Sequence, residues 1–394
     1  MQQRAQQNEV EQAPGERRAD GKALRVLLAA PSLDILGGQS RQAIFLMEGL
    51  GAEPALDISF LPHNPRLPRG FRWLQRIKYV RTLVTTLAYL FLLVVRAPWC
   101  DILHTFSASY YSYLCTACPA ILVAKLYGKK CILHYHSGEA EDHLRNWPRT
   151  TLPVMRLADE IVMCSGYLVD VFARFGLRAR AIHNTVALDR FHFRERRPLR
   201  PVFLVSRLLE PLYNVACVLR AFKLIQERYP EARLTVAADG VLRPELERLA
   251  FDELRLRNTE FVGFVPFDQM PALYDAADIY LTATDLDNMP GSVIECMATG
   301  VLVVTTDAGG IPYIATHEET CLMIPRNDHA AMAAAAFRLL ADEELAVGIA
   351  RRARASSRRF TWEVVRDEWL KLYFEVAARA VRQTRLNDKG VTEA

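Results

Sequence analysis

The strongest constraint on the fold is an alternation of short apolar runs with helical patterns that continues over nearly the whole chain. The first half contains six such runs: LRVLLAA, LDISFL, DILHTF, KCILHYH, EIVMCS and RAIHN. Each run is brief and almost continuously apolar, as expected for a strand of a parallel sheet that helices cover on both faces. The pattern therefore predicts an α/β fold built from strand–helix units.

The alternation restarts after about residue 196 with six further runs: PVFLVSR, RLTVAAD, TEFVGF, DIYLTAT, VLVVTT and CLMIP. The charged, proline-containing segment RFHFRERRPLRP separates the two series and indicates a domain boundary. A chain of 394 residues is long enough for two domains. We predict two facing Rossmann-like, doubly wound domains at 23–196 and 197–378, with tails at 1–22 and 379–394. Such folds bind ligands at the carboxyl ends of their strands, which places the site in the cleft between the domains.

Composition excludes several classes of protein. The 49 basic and 45 acidic residues give a net charge of only +4, so we predict no nucleic-acid partner. Residues 1–22 contain no apolar segment of the kind found in secretory signals, and the eight scattered cysteines favour a reducing cytoplasm. The apolar window Leu83–Val95 is shorter than the roughly 20 residues that cross a bilayer. We interpret it as a buried or interfacial helix.

A local basic patch precedes this window. It consists of Arg66, Arg69, Arg72, Arg76, Lys78 and Arg81, interleaved with Phe71, Trp73, Ile77 and Tyr79. Cations suit anionic lipid headgroups and aromatic rings suit the membrane interface, so the patch favours peripheral membrane contact. A solvated helix face is an equally good interpretation of the same residues. Membrane contact would make a lipid-linked acceptor the natural substrate.

Two features of the first domain are typical of ligand sites. Gly37 and Gly38 lie directly between a strand and a helix, where backbone N–H groups and the helix dipole favour an anion. His134 and His136 lie at the end of another strand, in the segment LHYHSGE. Strand alternation places both imidazoles on one face if the strand continues. The carboxyl-end position favours a role in the cleft, although strand-end histidines are often structural.

The most informative segment, Leu281–Ile314, reads LTATDLDNMPGSVIECMATGVLVVTTDAGGIPYI. Asp287 and Glu295 stand at either end of a loop that turns into a helix near Ser292. Carboxylates accept hydrogen bonds from the vicinal hydroxyls of ribose and hexose rings. The alternative is structural, with Asp287 capping the helix and Glu295 solvated.

This segment resembles the signature of the family-4 retaining glycosyltransferases: an acidic residue, seven residues, a glutamate, and then a pattern similar to EAMAxGxPVVxTxxGGxPE. Other segments are similar to the same family, among them FLVSRLLEPLYNVACVLRAF and, in the first domain, ADEIVMCSGYLVDVFARFG. The resemblance covers about residues 25–375. It implies the GT-B architecture, in which two Rossmann-like domains enclose a cleft.

The resemblance also implies a set of site residues. Glu295 would hold the ribose of a nucleotide-sugar donor, Arg207 its diphosphate, and His136 would lie beside the transferred sugar. The complete set is His136, Asp287 and Glu295 as catalytic residues, and Gly37, Gly38, Arg207, Gly263, Phe264, Asn288, Met289, Gly291 and Ser292 as substrate contacts. Within it, Gly263 and Phe264 would face the nucleobase.

Four positions depart from the family pattern. Leu212 stands where the family usually has a lysine, and an arginine elsewhere, such as Arg41, is a candidate replacement. Asp287 stands in place of a glutamate, and Tyr313 stands in place of another glutamate. Pro290 lies in a loop whose amides often contact the sugar, and proline donates no N–H. These departures predict a divergent subgroup.

The resemblance implies transfer of a sugar from a UDP- or GDP-linked donor to a hydroxyl of a glycan or lipid-linked acceptor, with retention of configuration and no other cofactor. We also predict metal independence. Two alternatives stay open. One is a catalytically inactive nucleotide-sugar-binding protein, favoured by Leu212, Pro290 and Asp287. The other is a GT-B nucleotide-sugar 2-epimerase, which would convert the donor without an acceptor.

Overall fold

The computed structural model describes residues 22–34 and 37–391, and within them the chain forms two lobes with a six-stranded sheet each. All twelve predicted strands are present. The first sheet consists of β1 Leu24–Ala30, β2 Leu56–Pro62, β3 Ile102–Ser107, β4 Lys130–Tyr135, β5 Glu160–Met163 and β6 Arg180–Ala181. The second consists of β7 Val202–Val205, β8 Arg233–Val236, β9 Thr259–Phe261, β10 Ile279–Thr282, β11 Leu302–Thr306 and β12 Leu322–Ile324. Of the predicted tails, residues 1–21 and 392–394 lie outside the described residues.

Helices connect these strands. In the first half they are α1 Gly38–Gly51, α2 Val80–Arg96, α3 Tyr110–Ser112, α4 Cys118–Leu126, α5 Ala140–Asn146, α6 Pro148–Met155 and α7 Gly166–Arg174. In the second half they are α8 Val215–Arg228, α9 Arg243–Arg248, α10 Met270–Ala276, α11 Gly291–Thr299, α12 Ile311–Ile314, α13 His329–Ala341, α14 Glu343–Ser357 and α15 Trp362–Val391.

Both sheets are parallel and doubly wound. The strand order is β2-β1-β3-β4-β5-β6 in the first lobe and β12-β11-β10-β7-β8-β9 in the second, and the second is the order of the dinucleotide-binding Rossmann fold. The direction of winding reverses between β1 and β3 and again between β7 and β10. Connections from the two strands at such a point diverge, which opens a crevice at the carboxyl edge of each sheet.

The central strands are buried on both faces, as their apolar runs predict. All six residues of β3 and all four of β10 are buried, including polar residues such as His104 and Thr105. Helices therefore cover both faces of each sheet, and the carboxyl edges are the part of the sheets that remains available for ligands.

The long helix α15 returns to the first lobe, which corrects the predicted domain range 197–378. Val365, Trp369 and Tyr373 of this helix are buried in the same core as Val26 and Phe106. Residues 362–378 thus complete the first lobe, and the helix continues to Val391 beyond the predicted start of a tail at residue 379. An apolar helix face is compatible with any uncovered sheet face, so its sequence did not reveal which lobe it covers.

Helix α2 is longer than its predicted apolar window. With the short helical turn after it, it forms a segment Val80–Trp99 of 20 residues and mean hydropathy 1.7, long and apolar enough to cross a membrane by length and composition. Tyr89 and Leu93 are nevertheless fully buried in the first lobe, and the Tyr89 hydroxyl donates to the Thr116 carbonyl at 3.2 Å. The helix is therefore part of the lobe and covers it with one face.

Replacing Trp369 with alanine tests the assignment of α15 to the first lobe. The ring is 1% exposed and packs 4.9 Å from His104 and 5.0 Å from His134, centroid to centroid. We expect Trp369→Ala to lower the free energy of unfolding by about 3–5 kcal/mol, measured by denaturant unfolding. Val364→Ala on the exposed side of the helix is the control, with an expected change below about 0.5 kcal/mol. Equal stability of the two variants would contradict the packing.

Candidate active site

A cavity of about 380 Å³ lies between the carboxyl edges of the two sheets. Both lobes line it. The lining residues are Gly38, Gln39, His136, Gly138, Cys164 and Asn184 from the first lobe, and Arg207, Leu212, Tyr213, Leu286, Asp287, Asn288, Met289, Pro290 and Gly291 from the second. Seven of the twelve predicted site residues are among them: Gly38, His136, Arg207, Asp287, Asn288, Met289 and Gly291.

The first lobe contributes the start of α1, which follows β1 at the switch point of its sheet. Gly37 precedes this helix and Gly38 begins it, with no side-chain cap and no acidic residue in the first turn. A Cβ added at either glycine would meet no other atom within 4 Å, so there is room beside this stretch of backbone. Free N–H groups and the positive end of the helix dipole favour a bound anion here.

The second lobe contributes an ion pair from the two strands at its own switch point. Arg207 follows β7, Asp287 follows β10, and their side chains form a salt bridge. Burial disfavours the charged form of Arg207, but the Asp287 carboxylate raises the guanidinium pKa above its usual value. The guanidinium carbon also lies 4.3 Å from the ring centre of Tyr213. Arg207 is thereby fixed as a cation at the cavity wall.

Helix α11 provides a second helix N-terminus at the same cavity. It begins at Gly291, and its first turn carries neither a side-chain cap nor an acidic residue. The preceding loop is held by Gly309 and Gly310. The Gly310 N–H donates to the Asp287 carbonyl at 2.6 Å, and a methyl group at Gly310 would collide with the Asn288 carbonyl. The second-lobe glycine pair thus supports the loop by close packing.

Contacts across the cleft join the lobes at this loop. The Asn288 side-chain amide donates to the His136 carbonyl at 2.9 Å. A second contact comes from Tyr313, one of the departures from the family pattern, whose hydroxyl donates to the Asp170 carboxylate of α7. The second-lobe residues of the site are therefore positioned partly by the first lobe.

His136 lies just beyond the end of β4, at the end of a row of buried histidines. Its ring centre is 4.0 Å from that of His134 and 4.7 Å from that of Phe106, on which it stacks. His134 Nδ1 lies 3.3 Å from His104 Nε2, and His104 Nδ1 lies 2.8 Å from the Tyr373 hydroxyl of α15. Burial lowers the pKa of His136 and of His104 to about 3 and that of His134 well below its usual value. The rings are therefore neutral near pH 7.

Glu295 lies beside the cavity and its side chain is only 5% exposed. Oε1 accepts from Arg41 Nη2 of the first lobe at 2.9 Å, and Oε2 accepts from the Tyr274 hydroxyl at 2.7 Å. The interpretation of Glu295 as a solvated residue is wrong. Arg41 in turn lies over the ring of Phe267, with its guanidinium carbon 3.4 Å from the centroid.

Three other predicted residues lie outside the cavity. Ser292 lies in the first turn of α11, and its hydroxyl accepts a hydrogen bond from the Tyr280 hydroxyl at 3.0 Å. Gly263 and Phe264 follow β9, two strands away from β7 at the edge of the sheet, and the Phe264 side chain is 56% exposed. They extend the carboxyl edge beyond the cavity and do not line it.

Comparison with known proteins shows what the second lobe is similar to. Residues 200–342 match the family described as "Glycosyl transferases group 1". This match covers most of the second lobe. The chain is 28% identical to the glycogen synthase of Mycobacterium tuberculosis over 285 residues, which is 67% of each protein. It is 26% identical to the amylovoran biosynthesis glycosyltransferase AmsK of Erwinia amylovora over 229 residues, 55% of this chain and 54% of that protein.

The fold of the whole chain is that of GT-B glycosyltransferases. HepE from Anabaena, solved in complex with UDP, superposes with a TM-score of 0.71 at 15% identity and covers 89% of this chain and 100% of its own. At this identity the likeness shows a shared fold. The predicted α/β, two-domain GT-B architecture is thus confirmed.

Several residues of this site carry buried polar atoms without a hydrogen-bond partner. They are Arg207 Nε, His136 Nε2, Asn184 Oδ1 and Asn288 Oδ1. Buried polar atoms are rarely left unpaired unless a ligand or water satisfies them. These four atoms therefore leave hydrogen-bond donors and acceptors at the cavity that a polar ligand or water can satisfy.

Sequence reasoning missed other members of the site. Gln39, Gly138, Cys164, Asn184, Tyr213 and Leu286 line the cavity but were not predicted. Asn184 follows the short strand β6, so its position after a strand was the available signal. Tyr274 gave no signal, because its hydroxyl is buried under Glu295 by the packing of α10 on α11. Within the described residues, no group of three or more His, Cys, Asp or Glu side chains is arranged to hold a metal ion.

The neutral histidines predict a specific dependence of stability on pH. Unfolding returns each imidazole pKa to about 6.5. Below that pH the unfolded chain binds more protons than the folded chain. The free energy of unfolding therefore decreases as the pH is lowered from about 6.5 to the folded pKa of His136, about 3. The variant His136→Phe keeps a ring stacked on Phe106 but has no imidazole. We expect its unfolding to take up one proton fewer than that of the wild type. The difference in unfolding free energy between wild type and variant should change by about 1.4 kcal/mol per pH unit between pH 6 and 4. A pH-independent difference in denaturant unfolding would contradict a neutral His136.

Proposed function

We propose that the protein is a retaining, metal-independent glycosyltransferase of family 4 that transfers a sugar from a UDP- or GDP-linked donor to an acceptor hydroxyl. The observation that carries the proposal is the meeting of two uncapped helix N-termini and the buried Arg207 at one cavity between the lobes. These groups suit the diphosphate of a nucleotide sugar. The group 1 family match and the relatives that act in glycogen and amylovoran synthesis support the same class of reaction.

The proposed chemistry follows from this charge arrangement. When the bond between the anomeric carbon and the phosphate oxygen breaks, negative charge develops on the leaving diphosphate. Arg207 and the N–H groups at the starts of α1 and α11 would stabilise that charge, and such stabilisation is usually the largest catalytic contribution. Asp287 orients Arg207 through their salt bridge. This cation and these dipoles act on the same phosphate charge that a divalent metal neutralises in other enzymes, which supports metal independence.

The remaining predicted residues receive roles by the same proposal. Glu295 would accept hydrogen bonds from the ribose, and His136, whose Nε2 lacks a partner, would contact the transferred sugar. Gly263 and Phe264 would hold the nucleobase along the carboxyl edge of β9, beyond the cavity. HepE was solved with UDP, which supports UDP as the first donor nucleotide to test.

Turnover tests this proposal against both alternatives. UDP-, GDP- and ADP-sugars are first screened by thermal shift, since a ligand of the folded state raises the melting temperature. With the stabilising donor and EDTA present, we expect transfer to an acceptor and, by NMR, a product with the anomeric configuration of the donor. Arg207→Gln should lower the transfer rate about 100-fold or more, whereas Arg228→Gln, an exposed arginine remote from the cavity, should not. Donor binding without turnover would establish an inactive binder, and donor conversion without acceptor an epimerase.

We also propose that the first lobe contacts an anionic membrane from the cytoplasmic side. From Leu61 to Cys100 the sequence has seven cations and no carboxylate. Leu83, Leu87 and Phe91 form an apolar stripe at four-residue spacing on the outer face of α2, and they are 61%, 56% and 69% exposed. Cations beside an exposed apolar helix face suit an acidic lipid surface. All eight cysteines are free, which supports a cytoplasmic location.

This surface makes a glycan or lipid-linked acceptor held at the membrane the proposed second substrate. The basic segment adds aromatic residues suited to the headgroup layer, since Trp73 and Tyr79 are 58% and 78% exposed. Tyr89 and Leu93 anchor the opposite face of α2 in the lobe core, which favours peripheral contact over insertion of the helix.

Charge reversal tests the membrane contact separately from catalysis. We expect the triple variant R72E/R76E/R81E to abolish sedimentation with phosphatidylglycerol-containing vesicles, because the electrostatic attraction changes sign. Donor hydrolysis in solution should remain, since none of these residues lines the cavity. R228E/R248E/R257E, on exposed positions of the second lobe, is the control of equal charge change. Vesicle binding that survives the first triple variant, or does not weaken with salt, would refute the proposal.

A further inference from the structure

The cavity has less positive charge than a diphosphate requires. Among the described residues that line it, Arg207 is the one arginine or lysine, and its charge is balanced by Asp287. Leu212, on the same wall, is apolar. A nucleoside diphosphate brings several negative charges, and two helix N-termini offer only about half a positive charge each. The proposed donor therefore calls for another cation within reach.

Arg41 is placed to supply it. The residue lies one helical turn into α1, whose first residues Gly38 and Gln39 line the cavity. Its side chain is 36% exposed, so it is not locked in the core. The guanidinium donates to Glu295 Oε1 at 2.9 Å. Gly291 lines the cavity, and a Cβ built on it would lie 3.8 Å from the same oxygen. The cation thus stands at the edge of the cavity.

Glu295 does not depend on Arg41 alone. Its other oxygen is held by the Tyr274 hydroxyl at 2.7 Å within the same lobe. If Arg41 moved away, Oε1 would become free while Oε2 stayed in place. A pair of ribose hydroxyls donating to Glu295 would then replace the guanidinium, and the guanidinium would be released toward the phosphates.

We propose that Arg41 is the second cation of the donor site. It pairs with Glu295 in the absence of donor and transfers to the diphosphate when the ribose hydroxyls bind Glu295. The inference rests on the proposed function and assigns a further substrate-binding residue to that site. It also makes donor binding a cross-lobe event, because Arg41 belongs to the first lobe and Arg207 and Glu295 to the second.

The test separates the phosphates from the rest of the nucleotide. Dissociation constants are measured by calorimetry for uridine and UDP, and for guanosine and GDP, with wild type and Arg41→Gln. The loss of the Arg41–Glu295 pair changes the dissociation constants of nucleoside and nucleoside diphosphate by the same factor, so it cancels in their ratio. The loss of a phosphate contact changes only the dissociation constant of the diphosphate. We expect the preference for diphosphate over nucleoside to fall by about 10- to 100-fold, the range of a charge-assisted hydrogen bond. Arg41→Lys should retain most of the preference.

Two further variants sharpen the result. Leu212→Lys in the Arg41→Gln background places a cation back on the cavity wall and should restore the preference for diphosphate. Arg190→Gln is the matched control, because Arg190 is exposed and lies over the same Phe267 ring at 4.3 Å but has no contact with Glu295 among the described hydrogen bonds. It should leave the preference unchanged.

Each outcome decides one question. An Arg41→Gln protein that binds UDP or GDP with the wild-type preference over the nucleoside overturns the inference and leaves the proposed function intact. A wild-type protein that binds neither diphosphate overturns the proposed function itself. If the unpaired Glu295 prevents Arg41→Gln from folding, the double variant Arg41→Gln with Glu295→Gln removes the buried charge and gives the same ratio.

Discussion

The site depends on one topological constraint, the position of β7 between β8 and β10 in the second sheet. Chain connections leave the carboxyl ends of β7 and β10 in opposite directions, and a crevice remains between them. Arg207 and Asp287 follow these two strands and meet across the crevice in a salt bridge. Helix α11 begins where the second connection ends. The first sheet has the same kind of opening after β1, and its α1 faces the crevice from the other side. The cavity is thus a result of strand order, to which side chains add charge.

Much of this arrangement can be predicted from sequence because parallel strands share a carboxyl edge. Twelve apolar runs locate the strands, and the polar residues that follow them, such as His136, Arg207 and Asp287, must lie at the edge. The lobe that α15 covers could not be predicted, since an apolar helix face fits more than one sheet. Nor could the pairing of Arg41 with Glu295, which are 254 residues apart and share no local pattern.

The departures from the family pattern have structural uses in this chain. Tyr313, in place of a glutamate, reaches across the cleft to Asp170. Pro290 occupies the position before α11, where a missing N–H leaves no helical hydrogen bond unmade. Leu212 contributes its backbone, because its carbonyl accepts a hydrogen bond from the Asp285 N–H at 2.9 Å. Tyr313 thus joins the lobes, and Pro290 and Leu212 belong to loops that line the cavity.

The same edge rule relates the basic patch to the cleft. The segment that carries Arg69, Arg72 and Arg76 connects β2 to α2, and every connection that leaves a strand of a parallel sheet starts at the carboxyl edge. The connection therefore begins at the carboxyl edge of the first sheet, where Arg66 pairs with Asp34, shortly before the glycines that open the cavity. The apolar stripe of α2 runs from there along the outside of the lobe. The proposed lipid-facing surface thus starts from the same edge of the first sheet that lines the cavity, an arrangement that the proposed transfer to a membrane-held acceptor would use.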